Sequence, residues 1–227
     1  MPQLPLSLTP PRPRRFENFV TDHGGSLVRS LRHGLEERGW IYLRGPEGSG
    51  KSHLALAVLA EWSGLQRRAC YVPGRERGAA ALLDGGEAEL AVVEDIECLA
   101  GRAAAELALF NALNRWRAAR TAVLLTGSGA TPFELPDLVS RIGQAASLTL
   151  QPLGDEAVAR LIRQLIADFQ VVPGRGLVDY LLWHGPRAPG SLVGLFERIS
   201  RRAQAERRVV SVPLAREELS HFLGGQG

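Results

Sequence analysis

No apolar run in this 227-residue chain approaches the roughly 18 residues that a membrane helix needs, so no span and no membrane partner are expected. Cysteine is scarce. Cys70 and Cys98 both sit in apolar surroundings, which argues against a disulfide scaffold and reads as buried thiols in a reducing compartment. The N-terminus lacks the basic start and continuous apolar stretch of a secretory signal, and prolines interrupt it, so a cytoplasmic protein is expected. Charge of one sign is not in excess: 27 basic against 24 acidic residues does not by itself mark a nucleic-acid binder. The basic stretch "ERISRRAQAERR" (197–208) reads as a solvated helix face, with direct DNA contact there left open. No internal repeat is visible. The scarcest residue that matters is lysine. Lys51 is the only one, and every other cationic side chain of fixed charge is arginine.

What is present is ample apolar material, 45% of the residues, enough for one large domain or two small ones. Residues 1–15 carry Pro2, Pro5, Pro10, Pro11 and Pro13, which bar helix and central strand and imply an extended, mobile tether. Regular structure should begin near "RFENFV" (15–20), followed by Leu27, Val28, Leu31 and Leu35 at helical spacing. Short apolar runs then alternate with helical segments: "WIYL" (40–43), "ACYV" (69–72), "LAVVE" (90–94), "TAVLLT" (121–126) and "SLTLQ" (147–151). Most are continuous rather than alternating, as strands covered on both faces are. With helices at 51–62, 103–118 and 134–142, this is an α/β fold with a parallel sheet of about five strands. Beyond Gly154 the pattern is amphipathic helix at 155–169, 176–184, 191–206 and 213–223. The expected organisation is a tether at 1–14, a nucleotide-binding α/β domain at 15–152 and a small all-helical domain at 153–227. The pair Trp183–His184 reads as packing and capping.

The strongest chemical signal is "GPEGSGKS", Gly45 to Ser52, which satisfies G-x-x-x-x-G-K-[ST] at every fixed position between a strand and a helix. Gly45, Gly48 and Gly50, with Glu47 and Ser49 between them, let backbone N–H groups curl around phosphate oxygens. The helix N-terminus adds partial positive charge. Lys51 is placed for the β/γ-phosphates and the Ser52 hydroxyl for Mg²⁺. A broad arginine bias has spared the one position that needs a compact ammonium on a flexible stem. "LAVVED" (90–95) resembles the acid-bearing strand that accompanies such loops. Glu94 and Asp95 are then the candidates to hold Mg²⁺ and orient water, although glutamate at the first position is a methylene longer than the usual aspartate.

"RFENFV", "GPEGSGKS", "AVVEDIECLAG", "LLTGSGATP" and "LPDLVSRI" occur in an order and spacing similar to the AAA+ module of the bacterial DnaA family, over roughly 15–223. "DIECLAG" and "QLPLSL" favour the DnaA-related regulators that switch DnaA off over DnaA itself, as does the expected lack of the DNA-binding domain that ends DnaA. The resemblance implies an AAA+ P-loop module followed by a helical lid domain, with ADP or ATP and Mg²⁺ as cofactors. It places Phe19 and Val20 near the adenine base, with His53 beside the loop. It makes Arg141 an arginine finger that acts in trans on ATP bound to DnaA. It makes Gln3, Leu4, Pro5, Leu6, Ser7 and Leu8 a peptide for the DNA polymerase III β sliding clamp, so that DNA is met mainly through the clamp. A homodimer is left open.

Three features depart from an active pattern in cis: Glu94 itself, Ser128 where an acidic or amide side chain is usual (with Thr126 as a polar alternative), and Gly190 in place of a nucleotide-sensing arginine, with Arg187 three residues earlier. They imply little ATPase activity of the chain's own. Two rival readings are a self-sufficient DNA-dependent AAA+ ATPase such as a helicase loader and a small-molecule P-loop kinase.

Overall fold

The computed structural model describes residues 12–21, 25–129 and 133–224. They form two compact units. One comprises Arg14–Phe19 and His23–Gln151; the other comprises the described parts of Met1–Pro13, Val20–Asp22 and Pro152–Gly227.

The first unit runs through a 3₁₀ turn at Phe16–Asn18, α1 (Ser26–Glu36), β1 (Trp40–Arg44), α2 (Lys51–Gly64), β2 (Ala69–Pro73), α3 (Ala79–Leu82) and β3 (Leu90–Glu94). A second 3₁₀ turn (Ile96–Leu99), α4 (Ala103–Ala118), β4 (Ala122–Gly127), α5 (Pro136–Ile142) and β5 (Ala146–Thr149) complete it. The sheet is five-stranded, ordered β2-β3-β4-β1-β5, and every pair is parallel. Its two faces are covered separately. Leu31, Leu35, Leu54, Val58 and Trp62 from α1 and α2 close one face. Leu83, Leu109, Leu113, Trp116 and Leu138 from the α3–α5 side close the other. Each fully buried leucine of this kind contributes about 1.5–3 kcal/mol of apolar transfer.

Coverage on both faces holds for the middle of the sheet, where β3 and β4 are buried at every residue. It fails for β2 and β5, whose residues are mostly exposed or half-buried. These are the edge strands, each hydrogen-bonded on one side only. The two cysteines are free thiols, as expected, but both are only half-buried.

Glu106 lies in the first turn of α4 and is 2% exposed. Its carboxylate accepts the backbone N–H of Gly101 (2.8 Å), of Glu134 (3.0 Å) and of Leu135 (2.9 Å). Burial alone would raise its pKa, but the three amide donors outweigh burial and hold it below the ordinary glutamate value. A lowered folded pKa stabilises the fold above the unfolded pKa, near 4.3, and that contribution drains away as pH falls below it. Urea unfolding from pH 7 to pH 3 should show this loss, and Glu106→Gln should flatten that part of the profile.

The second unit consists of α6 (Asp155–Asp168), α7 (Leu177–His184), α8 (Pro189–Ala205) and α9 (Val212–Gly224). Val158, Leu161, Ile162 and Leu165 on α6, Leu177 and Leu181 on α7, and Leu192, Leu195, Phe196 and Ile199 on α8 form its core. Trp183 is not part of that packing. It is 73% exposed, because it falls roughly half a turn away from Leu181 on the far face of α7. Its neighbour His184 stacks on Tyr180, with ring centroids 4.8 Å apart. The basic stretch 197–208 is laced with acids: Arg202 pairs with Glu206, Glu217 and Glu218, and Arg208 with Glu206. The freedom expected for residues 1–15 does not reach Arg12, whose Nε lies 2.5 Å from Asp168 Oδ2 of the same unit. No helix among the described residues is long and apolar enough to cross a membrane.

Candidate functional site

In the sheet β4 lies between the P-loop strand β1 and the acid strand β3. Ligand sites of open parallel sheets form outside such carboxyl ends. Backbone bonds stitch that edge: Gly45 N–H to Gly127 O (3.2 Å), Leu150 N–H to Arg44 O (2.7 Å) and Gly74 N–H to Glu94 O (2.9 Å).

The loop Gly45–Ser52 is built as a phosphate cradle. Gly50 has φ +103°, a left-handed conformation that a side chain rarely adopts, and an added Cβ would lie 2.8 Å from the Phe19 ring. The next fourteen residues form α2, whose N-terminus has no side-chain cap, leaving its first N–H groups for an anion. Ser49 Oγ is buried with no hydrogen-bond partner. Lys51 is 7% exposed, and its ammonium donates to the carbonyls of Gly45 (2.8 Å) and Pro46 (2.9 Å) of the same loop. A buried ammonium held by two carbonyls and an orphaned buried hydroxyl are what a phosphate chain would satisfy, so these residues fit a nucleotide.

Ser52 is exposed at the start of α2. His53 ties the preceding segment to the loop, with Nε2 2.9 Å from the Arg15 carbonyl oxygen and its ring 5.4 Å from that of Phe19. Phe19 and Phe16 pack on the apolar cluster under α1 and α2. Val20 packs on the core of the helical unit.

The acid pair has partners that sequence reading missed. Tyr71 on β2 donates its phenol to Glu94 Oε2 at 2.5 Å. Burial and the carboxylate together push that phenol well above its ordinary range, so it stays protonated. Glu94 is 5% exposed, and its Oε1 has no partner. Asp95 adopts φ 48° and ψ 53°, a left-handed conformation costly for a non-glycine residue. Its N–H donates to Thr126 Oγ1 (3.1 Å), and its Oδ2 accepts from Arg75 Nε (2.6 Å). Arg75 reaches on to Glu47 in the P-loop (3.2 Å). A hydroxyl and an unpartnered carboxylate oxygen are hard donors that suit Mg²⁺ completed by phosphates. Among the described residues no cluster of three or more His, Cys, Asp or Glu could hold a metal alone.

Ser128 N–H donates to Glu97 (2.9 Å), which leaves Thr126 as the polar side chain engaged with Asp95 at this strand end. Arg187 is ion-paired with Asp155 at 2.5 Å, and Gly190 lies in the first turn of α8. Arg141 stands in the last turn of α5. It donates to Gln144 (3.4 Å), its Nε is buried without a partner, and among the described residues it forms no ion pair, with Asp137 or any other acid. Gln3, Leu4, Pro5, Leu6, Ser7 and Leu8 lie outside the described residues.

A P-loop on an inner strand, acids at the end of β3, a five-stranded parallel sheet and a following helical unit define an AAA+ fold. Within that class the fold is of the DnaA and RuvB kind. Domain III of the Thermotoga maritima replication initiation protein DnaA superposes with a TM-score of 0.79 at 16% identity, covering 92% of this chain and 96% of that one. AMPPCP-bound DnaA from Aquifex aeolicus gives 0.68 at 19% identity, over 88% of this chain and 71% of that one. The RuvB Holliday junction branch migration motor of T. maritima gives 0.65 at 19% identity, over 92% and 72%. At these identities the likeness is one of fold. No protein-family pattern matches the sequence.

Proposed function

We propose that this chain is a regulatory inactivator of DnaA of the Hda type, holding ADP or ATP in its own P-loop and supplying Arg141 to ATP bound by DnaA. One observation carries the reading. Arg141, half-buried in the last turn of α5, has no acid partner among the described residues, whereas Glu94 and Asp95 are engaged within the chain by Tyr71 and Arg75. Lys51, Ser49 and the amides of α2 would hold the β/γ-phosphates, with Ser52 and Glu94 as Mg²⁺ ligands. Bound Mg²⁺ would neutralise phosphate charge at home. The guanidinium of Arg141 would stabilise the charge that spreads over the γ-phosphoryl oxygens of the partner's ATP. Gln3 to Leu8 would dock on the DNA-loaded sliding clamp, with Leu4, Leu6 and Leu8 projecting to one side of an extended peptide. Docking would raise the effective concentration at the replication site without further contacts.

The test is a reconstituted assay with the full chain, the clamp on DNA and ATP-bound DnaA. DnaA-bound ATP should be consumed only when all are present, with little turnover when DnaA is left out. Deleting residues 1–9 should abolish clamp binding and stimulation while nucleotide affinity stays. Brisk turnover without DnaA, with nucleotide-driven self-assembly, would instead favour a self-sufficient AAA+ ATPase.

A further inference from the structure

We propose that Glu106 is the positioning residue for Arg141, tying the first turn of the arginine's helix to the loop that leaves the acid pair; this rests on the role of Arg141 given above. Glu106 makes no ion pair among the described residues, and its carboxylate is spent entirely on backbone N–H groups. One donor, Gly101, closes the turn that follows Glu94–Asp95. The other two, Glu134 and Leu135, lead directly into α5. Leu135 is the residue on which that helix is founded: its carbonyl accepts the N–H of Leu138 (3.0 Å) and of Val139 (3.2 Å). At the other end of α5, Gln144 Oε1 accepts from Arg141 and also from Arg117 of α4. Between the two ends Leu138 and Ile142 pack in the same apolar cluster as Leu109 and Leu113 of α4. The finger helix is therefore referenced to α4 at its start, along one face and at its end.

A buried carboxylate without a cation is a costly way to fill space; an apolar side chain would pack the same volume at lower cost. What the carboxylate adds is several lone pairs converging on three amides from two separate segments. Its position in the first turn of α4 also favours the charge. A seven-residue helix is about 10 Å long, so a tilt of about 6° at Leu135 displaces its far end, where Arg141 stands, by about 1 Å. Misplacement by 1 Å at a reacting centre costs on the order of 10²-fold in rate.

The test is Glu106→Gln in the full chain, which keeps the shape but turns an NH₂ group towards backbone donors. The maximal rate of DnaA-bound ATP hydrolysis should fall by about 10- to 100-fold. The concentration of chain giving half that rate, nucleotide affinity and clamp binding should stay close to those of the unaltered protein. Hydrogen exchange at the amides of α5 should rise. Some loss of stability is expected either way, since the carboxylate stabilises the fold; a merely structural role would lower DnaA and nucleotide binding along with it instead of sparing them. If Glu106→Gln does not fold, Leu135→Pro, which deletes one donor together with the packing of the Leu135 side chain, carries the same two readouts when compared with Leu135→Ala, which loses the packing and keeps the donor. An unchanged maximal rate or unchanged α5 exchange overturns the proposal. The exchange measurement needs no DnaA. If the unaltered chain fails to stimulate DnaA, the function proposed above falls, while unchanged exchange in the variant refutes the Glu106 tie separately.

Discussion

Replacing Arg141 by alanine should leave the chain folded, nucleotide-bound and docked on the clamp, and should reduce its stimulation of DnaA-bound ATP hydrolysis by about 10³-fold or more. The size of the effect follows from the side chain's situation. Arg141 forms no ion pair among the described residues, so removing it strands no carboxylate, and the loss of packing is confined to the end of α5. Its hydrogen-bond acceptor, Gln144, keeps Arg117 as a donor. Stability should therefore move little, by about 1 kcal/mol at most for this half-buried side chain. Arg141→Lys should recover little of the lost stimulation, because an ammonium is a point charge and cannot present two parallel donors to phosphoryl oxygens. ATP remaining on DnaA, measured over time with the loaded clamp present, decides the matter. If the alanine variant consumes that ATP as fast as the parent, the trans-acting role of Arg141 is wrong.

The second large effect concerns a residue that no motif singles out. Gly74→Ala should destabilise the first unit by about 3 kcal/mol or more, which for a chain of this size lowers the thermal midpoint by roughly 6–12 °C. A Cβ at Gly74 would lie 2.3 Å from the Glu94 carbonyl oxygen and 2.6 Å from that of Asp95. Both are backbone atoms of the acid strand, so neither can swing aside as a side chain would. The strain would fall on Asp95, whose left-handed backbone is already held by Thr126 and Arg75. Calorimetry of the variant should be compared with Gly64→Ala in α2, where nothing lies within 4 Å and the change should be neutral to stabilising by up to about 1 kcal/mol. Equal midpoints for the two variants would contradict the close approach of β2 to β3 at this point.

The parts of the candidate site that could be read in advance are those carried by neighbours in the chain. The P-loop is eight consecutive residues whose glycines, lysine and serine act through local backbone and the helix they open. The acids Glu94 and Asp95 end a continuous apolar run. Partners from elsewhere in the sheet could not be read this way. Tyr71 reaches Glu94 because the parallel register sets Pro73 opposite Glu94 and side-chain alternation puts Tyr71 on the same face. Nothing in "ACYV" announces that register. Arg75 meets Asp95 and Glu47 across 20 and 28 residues of chain. Trp183 shows the opposite failure. Its size argued for packing, and the phase of α7 put it outside.

Apolar run length, helical spacing and one unbroken phosphate-loop motif were enough to establish an α/β nucleotide-loop module followed by helices, since each depends on residues a few positions apart. Strand order, which carboxylates are already engaged, and the tie between α4 and the helix of Arg141 were decided only in three dimensions. These depend on which distant backbone groups come to lie within 3 Å of one another, and spacing along the chain carries no trace of that.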